Sequence, residues 1–185
     1  MTMWEYQRHD WARLRANGSA VHVPAAIQAL LDAKTERDAT AAYWRLDNTV
    51  VVQGALYEAA LPTTHCLVVG LASCTAVARP RVLELLVQTA GGECSRVELE
   101  ANNHDLPRAC AAALRGALGT FLRVVELGTD IERALAVDVL GLCGRVAPET
   151  RDQIAWHMRR YLTTQPHPQV QTLLFSWIDE LEGGG

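Results

Sequence analysis

The segment Asp130-Ile131-Glu132-Arg133-Ala134-Leu135-Ala136-Val137-Asp138-Val139-Leu140-Gly141 reads as a helix with almost no polar side. From Asp130 to Cys143 only Glu132, Arg133 and Asp138 interrupt an apolar surround. A helix of that composition must be sandwiched between neighbours. The chain supplies them on both sides. Downstream, Val170, Leu173, Leu174, Trp177, Ile178 and Leu181 recur at helical spacing on one face, after Pro168 and before Gly183-Gly184-Gly185. Between the two, Pro148 to Thr163 carries Ile154, Met158 and Leu162 on one side. Upstream, Leu106 to Leu127 has Cys110, Leu114, Leu118, Phe121, Leu122 and Val125 in helical register, with Asp105 and Pro107 at its start. Gly116 and Gly119 are placed to bend or split it.

The N-terminal half repeats this theme. Trp4 to Arg15 reads as a capping helix ended by Asn17-Gly18, Pro24 opens a helix through Lys34, and Glu36 to Leu46 follows. Asp47-Asn48-Thr49 either breaks the chain or caps a helix reaching Ala60. Pro62 opens Thr63 to Ser73, and Pro80 opens a helix to Ala90. Val50-Val51-Val52 is the one stretch with strand character, but no partner strand stands nearby, so the local pattern favours helix. The expectation is an all-α, right-handed stack of antiparallel helix pairs, about ten helices in one domain over residues 1–185, with no sheet and a long connection near 91–105.

Self-similarity supports a repeat. Aligned on an early residue, Arg79 is followed by Val82, Leu83 and Leu86, and Arg133 by Ala136, Val137 and Leu140. The same offsets from Arg37 reach Thr40, Ala41 and Trp44, and from Gln171 they reach Leu174, Phe175 and Ile178. The segment from Asp130 resembles the turn and second helix of a HEAT repeat. Gln53-Gly54-Ala55-Leu56-Tyr57-Glu58-Ala59-Ala60, followed by Arg79-Pro80-Arg81-Val82-Leu83-Glu84-Leu85-Leu86, resembles a group of bacterial HEAT-like proteins. The resemblance covers roughly residues 36–145. It implies a HEAT-like α-solenoid acting as a protein-binding scaffold, and HEAT-like chains recur among cytoplasmic immunity proteins that neutralise a secreted toxin by direct binding.

The 185 residues are 49% hydrophobic and carry a net charge of −4, which is a poor balance for binding nucleic acid. The opening residues are not a signal peptide, no apolar run is long enough for a membrane span, and five cysteines without a C-x-x-C pair read as reduced thiols of a cytoplasmic protein. Six histidines (His9, His22, His65, His104, His157, His167) show none of the familiar metal-ligand spacings, and no nucleophile elbow or phosphate loop appears. The expectation is therefore no enzyme, no cofactor and no metal. Asp138, inside its apolar surround, is either a shifted catalytic acid or, as favoured here, an acceptor for a neighbouring helix. Gly116, Gly119, Gly141 and Gly144 read as close helix contacts. Trp44 and Trp156 fall off the apolar faces of their helices. An exposed Trp44 beside Arg45, Asp47 and Tyr57 would make a partner-binding patch, the alternative being that Trp44 covers the core between hairpins. Glu93, Glu98, Glu100 and Asp105 would form an acidic loop that steers a basic partner such as a toxin nuclease. The alternative from another class is a HEAT-like DNA-repair glycosylase, which needs a basic concave groove holding Trp and Asp.

Overall fold

Proline and hydroxyl side chains set where the helices begin. The computed structural model describes residues 4–183, so the closing Gly184 and Gly185 lie outside the described residues. Pro24 lies in the first turn of α1 (Val23–Leu31), Pro80 in that of α4 (Arg79–Gly91) and Pro107 in that of α6 (Leu106–Arg115). Pro148 and Pro168 begin α9 (Pro148–Leu162) and α10 (Pro168–Gly183). At these positions the missing N–H removes no helical hydrogen bond. Thr35 caps α2 (Glu36–Val50) through the Asp38 amide. Thr129 and Glu132 form a reciprocal capping box at the start of α8 (Asp130–Val146).

The remaining helices are α3 (Ala60–Leu71), α5 (Arg96–Glu100) and α7 (Leu118–Leu127). The chain is predominantly α-helical, and its helices stack as antiparallel pairs: α1 with α2, α3 with α4, α6 and α7 with α8, and α9 with α10. The second members form one layer in which α2 packs on α4, α4 on α8 and α8 on α10. Helix α8 packs against α4, α6, α7, α9 and α10 and buries Ala136, Val137, Val139, Leu140, Leu142 and Cys143. The element expected from Leu106 to Leu127 splits at Gly116–Ala117. One hydrophobic cluster runs from Trp11 to Leu181.

Three expectations need correction. First, a small sheet is present: β1 (Val51–Val52) pairs antiparallel with β2 (Ala55–Leu56), and β2 pairs in parallel with β3 (Glu93–Cys94). Gln53 and Gly54 both adopt left-handed backbone conformations, with φ of 52° and 81°, which form a two-residue hairpin turn and cannot continue a helix. The partner of Val51–Val52 is therefore local, two residues further along at Ala55–Leu56, and only the third strand comes from a segment distant in sequence. Second, Trp4 to Arg15 is not a helix; only Trp4–Arg8 forms a 3-10 turn. The Trp11 indole N–H folds back onto the Tyr6 carbonyl at 2.9 Å and takes the acceptor that a helix would need. Third, α2 is one residue out of the proposed repeat register. It buries Ala39, Ala42, Tyr43 and Leu46, and leaves Ala41 and Trp44 exposed.

The arginines used to align the repeat act in two ways. Arg79 reaches the buried Glu132 at 3.2 Å and ties α4 to α8. Arg133 donates to the carbonyls of Val125 (3.2 Å) and Glu126 (3.3 Å), satisfying the C-terminal end of α7.

Candidate functional site

Helices α7 and α9 both pack on α8 and leave a groove of about 780 Å³ between them. Leu122, Val125 and Glu126 of α7 line it together with Asp130 and Arg133 of α8, and Trp156, His157, Arg160 and Tyr161 of α9 form one wall. The α9 sequence dictates this. Ile154, Ala155 and Met158 are buried, so Trp156 and Arg160, four residues apart, share the opposite side. Trp156 is 53% exposed, with the Arg160 guanidinium 5.5 Å from its ring centroid and the His157 ring edge-on at 4.7 Å. Arg133 also borders the groove, but it is held by the α7 carbonyls and by Asp130 at 3.0 Å. Arg160 therefore supplies the available cation, stacked on an aromatic face. An exposed aromatic and an arginine at the rim of a groove of mixed apolar and polar lining are residue types that protein contacts use as anchors.

The residues singled out from sequence separate into two groups. Trp44 and Arg45 are exposed on α2, with the Trp44 ring edge-on to Tyr43 at 5.1 Å. Trp44 therefore does not cover the core. Asp47, expected in the same surface patch, is buried instead. It faces α4, where the Gln88 amide donates to the Tyr43 hydroxyl at 2.5 Å. Burial raises the Asp47 carboxyl, and hydrogen bonds from Gln88 and Tyr43 partly offset this. Tyr57 is half-buried behind the hairpin, its amide bonded to the Val50 carbonyl.

The acidic connection is not a loop of four free carboxylates. Residues 93–100 hold β3 and α5. Glu93, Glu100 and Asp105 are exposed, but Glu100 pairs with Arg96 at 2.8 Å. Glu98 is fully buried, which corrects its assignment to a partner-binding surface. It accepts from Arg15 Nε (3.1 Å) and Nη2 (2.7 Å), the Glu58 amide (2.9 Å) and Asn103 Nδ2 (2.7 Å). Burial alone would raise its pKa, but the bonds from Arg15, Asn103 and Glu58 outweigh that and lower it.

Asp138 accepts a 2.8 Å hydrogen bond from the Trp177 indole of α10, as the favoured reading expected, and burial raises its pKa against that bond. Gly141 and Gly144 are close contacts, with Trp177 and Leu181 respectively, whereas Gly116 and Gly119 meet no other helix. Asp138→Asn keeps the acceptor and removes the half-buried charge, so its melting temperature at pH 7 should equal or exceed the parent's. The sign follows from the raised pKa: the penalty on ionised Asp138 is present above its folded value and gone below the ordinary Asp value of about 3.9. The gain should therefore vanish in melts near pH 3. Asp138→Leu leaves the indole N–H without an acceptor and should cost about 1–3 kcal/mol. Equal melts for the Asn and Leu variants would refute the hydrogen bond's role.

Among the other polar groups, burial pushes the thiols of Cys66, Cys110 and Cys143 up to about 12, which keeps them protonated and unreactive. Glu5, His9 and His65 bring three ligand-type atoms together, a grouping the histidine spacings did not reveal. The Glu5-x-x-x-His9 spacing was the signal available in sequence. No helix among the described residues is long and apolar enough to cross a membrane. No family model, curated protein or solved structure matches the chain, so the HEAT-like resemblance rests on the residues quoted for it.

Proposed function

We propose that this chain is a protein-binding helical-repeat scaffold, and that the groove between α7 and α9 receives a segment of a partner protein carrying apolar and acidic side chains. The observation that supports this reading is Trp156, a large aromatic held in solvent under Arg160 at the rim of the groove. At the rim Arg160 offers a cation to an acidic side chain of the partner, while Glu126 and the Arg133–Asp130 pair line the rest of the groove. Arg160 forms no ion pair among the described residues, and Arg123, on the other side of α7, borders a second hollow of about 530 Å³. The exposed Leu127 lines that same hollow, so apolar surface continues across α7. The finer form of the proposal is the one the HEAT-like resemblance implies, neutralisation of a cognate bacterial toxin by occlusion.

A DNA-repair glycosylase is not favoured. The hollow between α4, α8 and α10, about 510 Å³, holds Asp138 together with an Arg145–Glu180 pair at 3.6 Å, a net negative lining where phosphate contacts require positive charge.

The test compares capture of partners by the parent chain and by Trp156→Ala, Arg160→Glu and Trp44→Ala. All three side chains are exposed, so unchanged circular dichroism should accompany each variant. A specific partner should be held by the parent and by Trp44→Ala, and weakened about 30-fold by Trp156→Ala, the effect of losing about 2 kcal/mol at a hot spot. Arg160→Glu should weaken it further. Retention of the partner by both α9 variants overturns the groove assignment. If that partner arrests growth when expressed alone, co-expression of this chain should restore growth; continued arrest would remove the toxin-neutralising form of the proposal.

A further inference from the structure

Three side chains from two separate segments converge beneath the 3-10 turn at Trp4–Arg8. Glu5 is buried in that turn, His9 follows it at the i+4 position, and His65 projects from α3. One ligand-type atom from each lies within 4.8 Å of the other two. The imidazoles of His9 and His65 are nearly parallel, 12° apart in plane with centroids 6.5 Å apart. The ring of Trp11, itself buried, makes a T-shaped contact with His9, centroids 5.7 Å apart.

The ordinary explanation for such a group is a hydrogen-bonded ion pair between His9 and Glu5, and the geometry does not form one. His9 Nε2 lies 3.5 Å from Glu5 Oε1, yet that nitrogen is shielded from solvent and has no hydrogen-bond partner. An unsatisfied buried imidazole nitrogen aimed at a buried carboxylate is costly. A cation seated between them would satisfy both.

We propose that Glu5, His9 and His65 form a binding site for a divalent transition-metal ion of the zinc class, which staples the N-terminal turn to α3. The donor set fits that class. Two imidazoles and one carboxylate suit zinc, cobalt, nickel or copper, whereas calcium and magnesium take oxygen ligands. In a tetrahedral site with bonds of about 2.0–2.1 Å the ligand atoms stand about 3.3–3.5 Å apart, so the His9–Glu5 spacing already matches. The other separations, within 4.8 Å, have to close by up to about 1.4 Å, which side-chain torsions supply. Arg8 Nη1 touches the Glu5 oxygens at 3.3 and 3.4 Å, but its side chain is 60% exposed and can swing into water when a cation arrives. The fourth position is left for solvent. This site belongs to the first helix pairs and is independent of the α7–α9 groove.

The test uses the full chain without an affinity tag, titrated with cobalt(II) and then with zinc. One equivalent of cobalt should give the visible absorption of a tetrahedral nitrogen–oxygen site, without the sulfur-to-metal band that cysteine ligation would produce. Zinc should bleach that absorption and raise the melting temperature in proportion to the logarithm of its free concentration, while calcium should do neither. His65→Gln, at a half-exposed position on α3, should lower metal affinity more than about 100-fold with an unchanged metal-free melt. Glu5→Gln should weaken binding while keeping the shape of the carboxyl. Absence of the cobalt spectrum, a sulfur band, or parental affinity in both variants overturns the site.

Discussion

Glu98→Ala should destabilise the chain by about 3 kcal/mol or more and lower its melting temperature by roughly 6–12 °C, with the damage centred on the edge that carries the small sheet. Glu98 is the single acceptor on which two distant segments and its own connection converge: Arg15 from the N-terminal loop, Glu58 from the hairpin exit and Asn103 from just beyond α5. Truncation leaves the Glu58 amide and the Asn103 amide group in a dry site without their acceptor, at about 1–3 kcal/mol each. Arg15 is less exposed to this loss, because it keeps Glu58 at 3.2 Å and part of its side chain is in water. That is why the expected figure sits at the lower end for breaking a buried pair. Glu98→Gln preserves the shape and some of the bonds, so it should fall between the parent and the Ala variant. The dependence on pH has a definite sign. The folded pKa of Glu98 is lowered, so the native chain binds fewer protons there than the unfolded chain. The stabilisation is complete above the ordinary Glu value of about 4.3 and is lost as pH falls through the lower folded value. Chemical denaturation at pH 7 and at pH 3 should show the gap between parent and Glu98→Gln shrinking in acid. Hydrogen exchange should show the 51–58 and 93–103 segments losing protection together in the Ala variant, because one side chain holds both. Melts that coincide with the parent's would mean that the segments are held by the strand pairing alone.

The same residue shows where the sequence stops being readable. Helices whose burial is set by their own periodicity could be placed from local pattern: α8, α9 and α10 begin where Asp130, Pro148 and Pro168 said they would. The one-sided apolar face of α9 also put Trp156 outside the core, and it is exposed. What local pattern misses is any feature whose partner is distant in sequence. Glu98 sits in a stretch of mostly acidic and polar residues that looks solvated, and only Arg15, far upstream, makes its burial tolerable. The hairpin of Val51–Val52 with Ala55–Leu56 is local and was open to reading at the Gln53-Gly54 turn, whereas its third strand, Glu93–Cys94, lies two helices further along the chain. His65 and His9 escaped notice for the same reason. The groove between α7 and α9 has a different origin. It arises because α6 and α7 together fill the place of one helix, and the glycines at 116 and 119 flagged only the break, not the gap it opens.

Gly141→Leu should be the most damaging single substitution at the α8–α10 contact, costing about 3 kcal/mol or more. A Cβ placed on Gly141 would overlap the Trp177 ring, and the atoms it meets belong to the rigid indole rather than to the end of a flexible chain. The ring is held from three directions: its N–H by Asp138, its face by the Arg145 guanidinium at 5.7 Å, and its other side by the α8 backbone that glycine exposes. To make room, α10 must move off α8 or Trp177 must leave its position, and either change breaks the 2.8 Å bond to Asp138 as well as the packing. Gly141→Ala is the sharper measurement. In an exposed helix interior, glycine to alanine gains about 1 kcal/mol from backbone entropy alone. Here overpacking of about 1–3 kcal/mol opposes that gain, so the net effect should be destabilising. Gly119→Ala, where the added carbon meets nothing, supplies the control and should be neutral or stabilising. The environment of Trp177 can be read directly by near-ultraviolet circular dichroism, which should change for Gly141→Ala and stay fixed for Gly119→Ala. If Gly141→Ala proved as stable as Gly119→Ala, the close approach of α8 and α10 at this ring would be wrong. The account of Asp138 as an acceptor for Trp177 would then fall with it, since both depend on the ring lying flat against that glycine.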